Sequence, residues 1–244
     1  MSCTELPKTK TNIILYLAAG SPQGNSIICE LKSQFVEHEV RYIDLTKNEH
    51  LEPWFLEISP IGIIPAFTET VRGEDVAVFG TAAILWYLHN EYRRRAPLPH
   101  HWSLRAPLTM RQHWEAVDWM CWALHRPGLK QALMYNLSRY GPDSMPSESA
   151  ASAVEDFLKP GMLNLYWCLN EYLADNEECC MVGNDPTIAD FAAFEWISCH
   201  ALIGHSLKDN SAVKSWYDDI QSENLDLFAL DCTRMTSPAI LVLF

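Results

Sequence analysis

The sequence predicts an α/β domain of about 80 residues joined to an all-helical domain, each within the usual size of a folding unit. Three observations carry that reading. Between residues 13 and 92, short apolar runs alternate with stretches of helical period. The stretch Arg93-Arg-Arg-Ala-Pro-Leu-Pro-His-His101 then holds charge and proline without any period. Beyond it, apolar residues recur at intervals of three and four. The organisation expected is residues 1–93 as the α/β domain, 94–105 as a linker and 106–244 as the helical domain.

Each element has a local cause. Ile13-Ile-Leu-Tyr-Leu17, stopped by Ala18-Ala-Gly20, reads as a buried strand. Ser21-Pro22 supplies a helix cap and a proline whose fixed φ suits the first helical position. That helix is expected to reach Glu37 and to bury Ile27, Leu31 and Phe35. Val40-Arg-Tyr-Ile-Asp44 alternates as a second strand, and His50 to Ile58 reads as a short helix closed by Ser59-Pro-Ile-Gly62. Ile64-Pro-Ala-Phe67 and Val76-Ala-Val-Phe79 are two more strands around the turn Arg72-Gly-Glu-Asp75. Thr81 caps a helix to Tyr92, with Ile84, Leu85 and Leu88 inward.

In the helical domain Met110, Trp114, Val117, Cys121 and Leu124 recur at three and four, and Pro127-Gly128 marks a kink or stop. Val154, Leu158, Leu165, Leu169 and Tyr172 mark a second long helix, with a bend expected at Pro160-Gly161. Residues 187–203 are apolar nearly all round, the pattern of a helix in the middle of a bundle. Thr187-Ile-Ala-Asp190 opens that helix as a capping box with Asp in place of Glu. Val213, Trp216, Tyr217 and Ile220 give a last amphipathic helix, and the apolar end Ala239–Phe244 reads as a packing tail.

Composition narrows the function. With 18 Lys+Arg against 31 Asp+Glu the net charge is −13, the wrong sign for a nucleic-acid binder. An apolar fraction of 48% with 20% charged fits a globular chain rather than a disordered one. No run approaches the ~20 apolar residues that a membrane helix needs, and the first residues lack the apolar core of a signal peptide. A cytoplasmic protein with no membrane or nucleic-acid partner is expected. The eight Cys show no C-x-x-C spacing and the nine His no H-E-x-x-H, so no metal site is expected.

Three local patterns stand in a telling order. They are Lys47-Asn-Glu-His50-Leu with Ile58-Ser-Pro-Ile-Gly-Ile-Ile-Pro65, then Val78-Phe-Gly-Thr81-Ala-Ala-Ile84, then Asn184-Asp-Pro-Thr187-Ile-Ala-Asp190-Phe. Together they resemble the glutathione transferase family over nearly the whole chain. The turn Ser21-Pro-Gln-Gly-Asn-Ser-Ile27 is similar to that of theta-like and fungal nitrogen-regulator-type members. The resemblance implies a thioredoxin-like βαβαββα domain followed by an all-α helical bundle, glutathione as the cofactor, and a two-fold homodimer.

It also implies site residues. A thiol with an ordinary pKa of ~8.5 is mostly protonated at neutral pH, and a hydroxyl donor at a helix N-terminus favours the anion. Ser21 stands at that place, with Gln23 and Asn25 as substitutes; the alternative is that Ser21 only caps the helix. Pro65 matches a cis proline that turns the main chain of Ile64 toward the glutathione peptide, the alternative being an ordinary edge or turn proline. His50 matches a residue that holds the glycine carboxylate, the alternative being a solvent-facing histidine. Thr81 keeps a hydroxyl and a helix start for the γ-glutamyl carboxylate.

Two positions depart from the family. Ile63 replaces a polar contact to the glycine end, and Gly80 replaces the acid that pairs with the γ-glutamyl amino group. A lost charge-assisted bond costs about 1.5–3 kcal/mol, or roughly ten- to hundred-fold in affinity. A small hydrophobic electrophile is expected against the first bundle helix, whose Trp114, Trp119 and Trp122, with Met120, Tyr135, Arg111, His113 and Arg126, offer aromatic and polar contacts. The function expected is a glutathione-dependent transferase. The weakened γ-glutamyl grip and aromatic cleft favour a specialised biosynthetic enzyme, including one that isomerises a double bond by reversible thiol addition. The alternative is a regulator or assembly module on the same fold.

Overall fold

The computed structural model describes residues 12–19, 21–92, 108–128, 130, 133–134 and 147–223. The α/β part runs β1 (Ile14–Leu17), α1 (Pro22–Ser33), β2 (Glu39–Tyr42), α2 (Pro53–Leu56), β3 (Ala66–Val71), β4 (Glu74–Phe79) and α3 (Thr81–Glu91). Its four strands form one mixed sheet in the order β2-β1-β3-β4. β1 and β2 are parallel, which requires the crossover that α1 provides. β3 runs antiparallel to both β1 and β4. The β3–β4 hairpin turns on Arg72 and Gly73, both at positive φ as a twisted two-residue turn demands.

The period of two in β1 divides the core. Leu15 and Leu17 join Ile27 and Leu31 of α1, Phe67 of β3 and Ile84, Leu85 and Leu88 of α3. Tyr16 and Ala18 point to the other face, where Phe55 of α2 packs with Ile43, Ile64 and Ala66. This is the thioredoxin-like arrangement expected. Three local details differ from expectation. α1 stops at Ser33 rather than Glu37, because Phe35 turns to a φ of 56° while Val36 N–H bonds Leu31 C=O. Val36 then takes the core position, and Phe35 is left 37% exposed. The segment expected to be helical from His50 to Ile58 begins as two 3₁₀ turns, Leu45–Lys47 and Glu49–Leu51, and turns α-helical only where Pro53 starts α2. Gly80 rather than Thr81 is the N-cap of α3.

The bundle contains α4 (Met110–Ala123), a π turn (Leu124–Gly128), α5 (Glu148–Asp175), α6 (Ile188–Ile197) and α7 (Ser211–Glu223). The expected stop at Pro127-Gly128 is the π turn. α5 continues through Pro160. All ten residues of α6 are buried, as its uniform apolarity requires. The face of α4 differs from the sequence reading. Ala116, Met120 and Ala123 point inward, whereas Met110 is 75% exposed and Cys121 is also exposed. Small residues on α4 meet Ala189, Ala192 and Ala193 of α6 in the same core, so the two helices approach closely where bulk would hold them apart. Residues 94–105, Tyr135 and the end Ala239–Phe244 lie outside the described residues.

Candidate functional site

The sheet register brings three chain crossings to one place. Tyr16 pairs with Ala66 and Ala66 with Phe79, so the end of β1, the start of β3 and the end of β4 lie side by side. The chain leaves β1 through Ala18, whose C=O accepts from Ser21 N–H at 3.1 Å. It enters β3 through Ile64–Pro65, a cis peptide bond. It leaves β4 through Gly80, whose N–H donates to Pro65 C=O at 2.9 Å. Ser21, Ile64, Pro65, Gly80 and Thr81 therefore meet at one end of the sheet. Among the described residues, the main chain of Ile64 has no backbone hydrogen bond, which leaves it open to a peptide-like ligand.

Ser21 is the N-cap residue of α1, yet its side chain makes no capping bond. Its hydroxyl donates instead to Gln23 Oε1 at 2.5 Å. Asn25, one turn on, is buried. Thr81 is half-buried in the first turn of α3, where helix N–H groups have no intrahelical acceptor and favour an anion. Gly80 has φ 84° and ψ 139°, a conformation that L side chains rarely adopt. The glycine thus removes the expected acid and relieves a turn that any side chain would strain.

His50 is not solvent-facing. It is 4% exposed, and its Nδ1 is buried without a hydrogen-bond partner. Gly62, at φ 70°, lies against it, and a Cβ there would come within 2.8 Å of the His50 carbonyl oxygen. Ser59 is fully buried nearby in sequence and its Oγ also lacks a partner. Both residues contact Gly62, on the segment that leads into Ile64, and their two buried polar atoms have capacity for a polar group.

The α4 residues divide between two faces. Trp114 is 53% exposed and packs with Trp86 of α3 at 6.1 Å between ring centroids. His113 of the same helix reaches His89 of α3, with Nδ1 and Nε2 3.2 Å apart. Trp119 lies against Trp122 at 5.2 Å and against Tyr172 of α5 at 4.3 Å. Arg111 bonds Glu115 at 2.7 Å on an exposed face, and Arg126 is exposed. Among the described residues, no group of three His, Cys, Asp or Glu could hold a metal ion. Cys29 on α1 is no nucleophile, since burial pushes its thiol up to about 12.

Sequence reasoning missed one connection. Glu195, in the middle of α6, is fully buried and reaches across to Ser26 of α1, its Oε2 lying 2.8 Å from Ser26 Oγ. A second acid, in the middle of an otherwise apolar helix whose first turn already carries the capping Asp190, is the sequence signal that points to it.

Comparison with known proteins agrees with the fold. Residues 11–90 match the family model described as glutathione S-transferase, N-terminal domain. The disulfide-bond oxidoreductase YfcG of Escherichia coli (strain K12) is 27% identical over 213 residues, covering 86% of this chain and 90% of the relative. A glutathione transferase homolog from Lodderomyces elongisporus, crystallised with two GSH per subunit, superposes with a TM-score of 0.74 at 22% identity, over 95% of this chain and 98% of that one. Ure2p in complex with S-hexylglutathione superposes with a TM-score of 0.73 at 18% identity, over 95% and 97%. Residues 11–90 are thus a glutathione S-transferase N-terminal domain, and the solved glutathione transferase structures, Ure2p among them, share the fold of the chain with its helical bundle.

Proposed function

We propose that this chain is a glutathione-dependent transferase that binds glutathione at the sheet end where the Ser21 turn, Ile64–Pro65 and the start of α3 meet. One observation carries the reading: an open Ile64 main chain is flanked in the chain by Gly62, against which the buried His50 with its unpaired Nδ1 lies, and by Pro65, whose C=O is bonded by the N–H of Gly80 at the start of α3. In this reading Ile64 pairs with the peptide of glutathione, His50 takes its glycine carboxylate, and Thr81 with the first N–H groups of α3 takes its γ-glutamyl carboxylate. Ser21 turns its hydroxyl from Gln23 to the sulfur and stabilises the thiolate, with Gln23 and Asn25 beside it.

The thiolate attacks a carbon of a hydrophobic electrophile, forming the C–S bond as a leaving group departs or as a conjugated double bond yields its electrons. In the second case the adduct can rotate about the new single bond and expel the thiolate, which returns the other isomer and free glutathione. The departure at Gly80 favours a specialised biosynthetic enzyme of this kind over a broad detoxifier. Disulfide chemistry like that in the name of the Escherichia coli relative would also fall to the glutathione sulfur, because the turn carries Ser21 and no Cys. A homodimer in the cytoplasm completes the reading. Among the described residues no helix is long and apolar enough to cross a membrane.

A second reading, a regulator on the same fold, draws on Gly80 and Ile63, which remove two ligand contacts. Calorimetry with glutathione separates the two. A binding isotherm at millimolar affinity or tighter, lost in His50→Ala, supports the transferase site. No heat of binding up to about ten millimolar, far above the range where −4 kcal/mol would register, removes it. Light scattering during size exclusion tests the dimer.

A further inference from the structure

The Ser26 hydroxyl lies 2.8 Å from Glu195 Oε2 and 2.9 Å from the main-chain oxygen of Gln23. Both neighbours are acceptors if Glu195 is ionised, and a hydroxyl has one proton to donate. An ionised Glu195 would therefore leave one of the two contacts without a hydrogen, with its second oxygen, Oε1, buried and unpartnered. A protonated Glu195 resolves the count: its O–H donates to Ser26 Oγ, Ser26 O–H donates to Gln23 C=O, and only a carbonyl-type oxygen stays unpaired.

We propose that Glu195 is a neutral carboxylic acid that, through the hydroxyl of Ser26, holds the Gln23 carbonyl and so acts as a positioning residue for the first turn of α1. That turn carries Ser21, whose hydroxyl donates to the Gln23 side chain, so Gln23 is held at both ends. The bundle thereby fixes the geometry of the turn on which the transferase reading places the sulfur contact, and the functional part of the inference rests on that reading.

The surroundings agree. α6 packs against α1, α3, α4, the π turn and α7. The described titratable and charged groups on those elements are Cys29, Glu30 and Lys32 of α1, Tyr87, His89 and Glu91 of α3, Arg111, His113, Glu115, Asp118 and Cys121 of α4, His125 and Arg126 of the π turn, and Lys214, Tyr217, Asp218 and Asp219 of α7. None of them enters the electrostatics of Glu195. Burial alone raises its carboxyl from 4.5 to about 8, against the opposing bond to Ser26. Above that pH the carboxylate claims the Ser26 proton, and Gln23 loses its tether.

The test uses the full-length wild type, Glu195→Gln and Ser26→Ala, with glutathione as the probe and the ionisation of its bound thiol, read from ultraviolet thiolate absorbance, as the measure. Ser26→Ala should raise the bound thiol's pKa by about one unit, tenfold in thiolate fraction at neutral pH, with affinity largely kept. Above about pH 8, where the wild-type carboxyl ionises, the wild type should hold less thiolate than Glu195→Gln, which stays neutral throughout. Parallel thiolate profiles for wild type and Glu195→Gln, or an unchanged thiol pKa in Ser26→Ala, overturn the positioning role. Infrared difference spectra decide the protonation state without any ligand: a protonated-carboxyl band that titrates near pH 8 in wild type and is missing in Glu195→Gln supports it, and its absence from wild type at pH 7 overturns it. If no protein binds the probe at any pH, the glutathione reading fails, and with it the functional role given to Glu195. The infrared result still decides whether the acid is neutral.

Discussion

Replacing Asp190 with Ala should cost about 3–5 kcal/mol of stability, more than a helix cap alone contributes. A capping box seen in sequence is worth about 1–2 kcal/mol. In the structure the Asp190 carboxylate does more than cap its own helix. Oδ2 accepts from Thr187 N–H at 2.8 Å and from Thr187 Oγ1 at 3.0 Å. Oδ1 accepts from Met181 N–H at 2.8 Å and from Trp216 Nε1 at 2.9 Å. Alanine would leave three buried N–H donors without an acceptor, each costing about 1–3 kcal/mol. Burial pushes the Asp190 carboxyl above its usual range, so losing a costly buried charge offsets part of that sum. Asp190→Asn keeps the shape and one acceptor but turns an amide toward a donor, so an intermediate loss is expected. Urea unfolding followed by tryptophan fluorescence and by circular dichroism measures all three proteins. A loss below about 1 kcal/mol for Asp190→Ala would refute the claim that one carboxylate ties α6, α7 and the segment before them together.

Ser21→Ala should lower turnover at neutral pH and shift its pH profile upward by roughly one to two units, each worth 1.36 kcal/mol, with glutathione affinity largely kept; superimposable profiles would assign the thiolate contact elsewhere. Gly128→Ala should destabilise by about 1–3 kcal/mol, because the new Cβ would lie 2.5 Å from Trp196 Nε1 and 3.0 Å from Ala123 C=O; an unchanged urea midpoint would mean that the contact between the π turn and α6 has slack. Alkylation of the native protein, read by mass spectrometry, should modify the exposed Cys121, Cys168 and Cys179 and spare Cys29, which is buried with its thiol held near 12; early labelling of Cys29 would mean that α1 opens locally.

The elements that are apolar throughout were legible from the sequence. β1 is a continuous apolar run, α6 is apolar nearly all round, and the structure buries both. The face of α4 was not legible, because apolar side chains at helical spacing also occur on its outer side. What selects the inner face is the fit of Ala116 and Ala123 to the alanines of α6, and that depends on a partner helix roughly seventy residues away by a principle of close packing that no single stretch reveals. Phe35 escaped for a related reason: the left-handed turn at the end of α1 exchanges its place with Val36, and hydrophobicity alone cannot choose between neighbours. At the site, the motif residues converged because they mark chain crossings at strand ends. The Glu195–Ser26 bond spans 169 positions, so only the oddity of a mid-helix acid with no capping role among apolar residues was visible beforehand.

Gly80 joins these threads. The backbone there holds φ 84° and ψ 139° while its N–H reaches Pro65 C=O, so the strand-to-helix corner and the entry to β3 are fixed to one another. A side chain at this corner could carry an acid toward a ligand amino group only at a cost in backbone energy of about 1–3 kcal/mol. With glycine the corner is relaxed, the start of α3 keeps its orientation, and the anion end of the site stays intact. In the proposed reading, what is given up is recognition of one positive charge. A site so altered would keep the geometry that presents a thiol and weaken the grip on the tripeptide that carries it. Such a balance suits turnover of a well-positioned second substrate better than tight storage of glutathione, because binding energy withheld from the ground state does not deepen the well from which the reaction must climb.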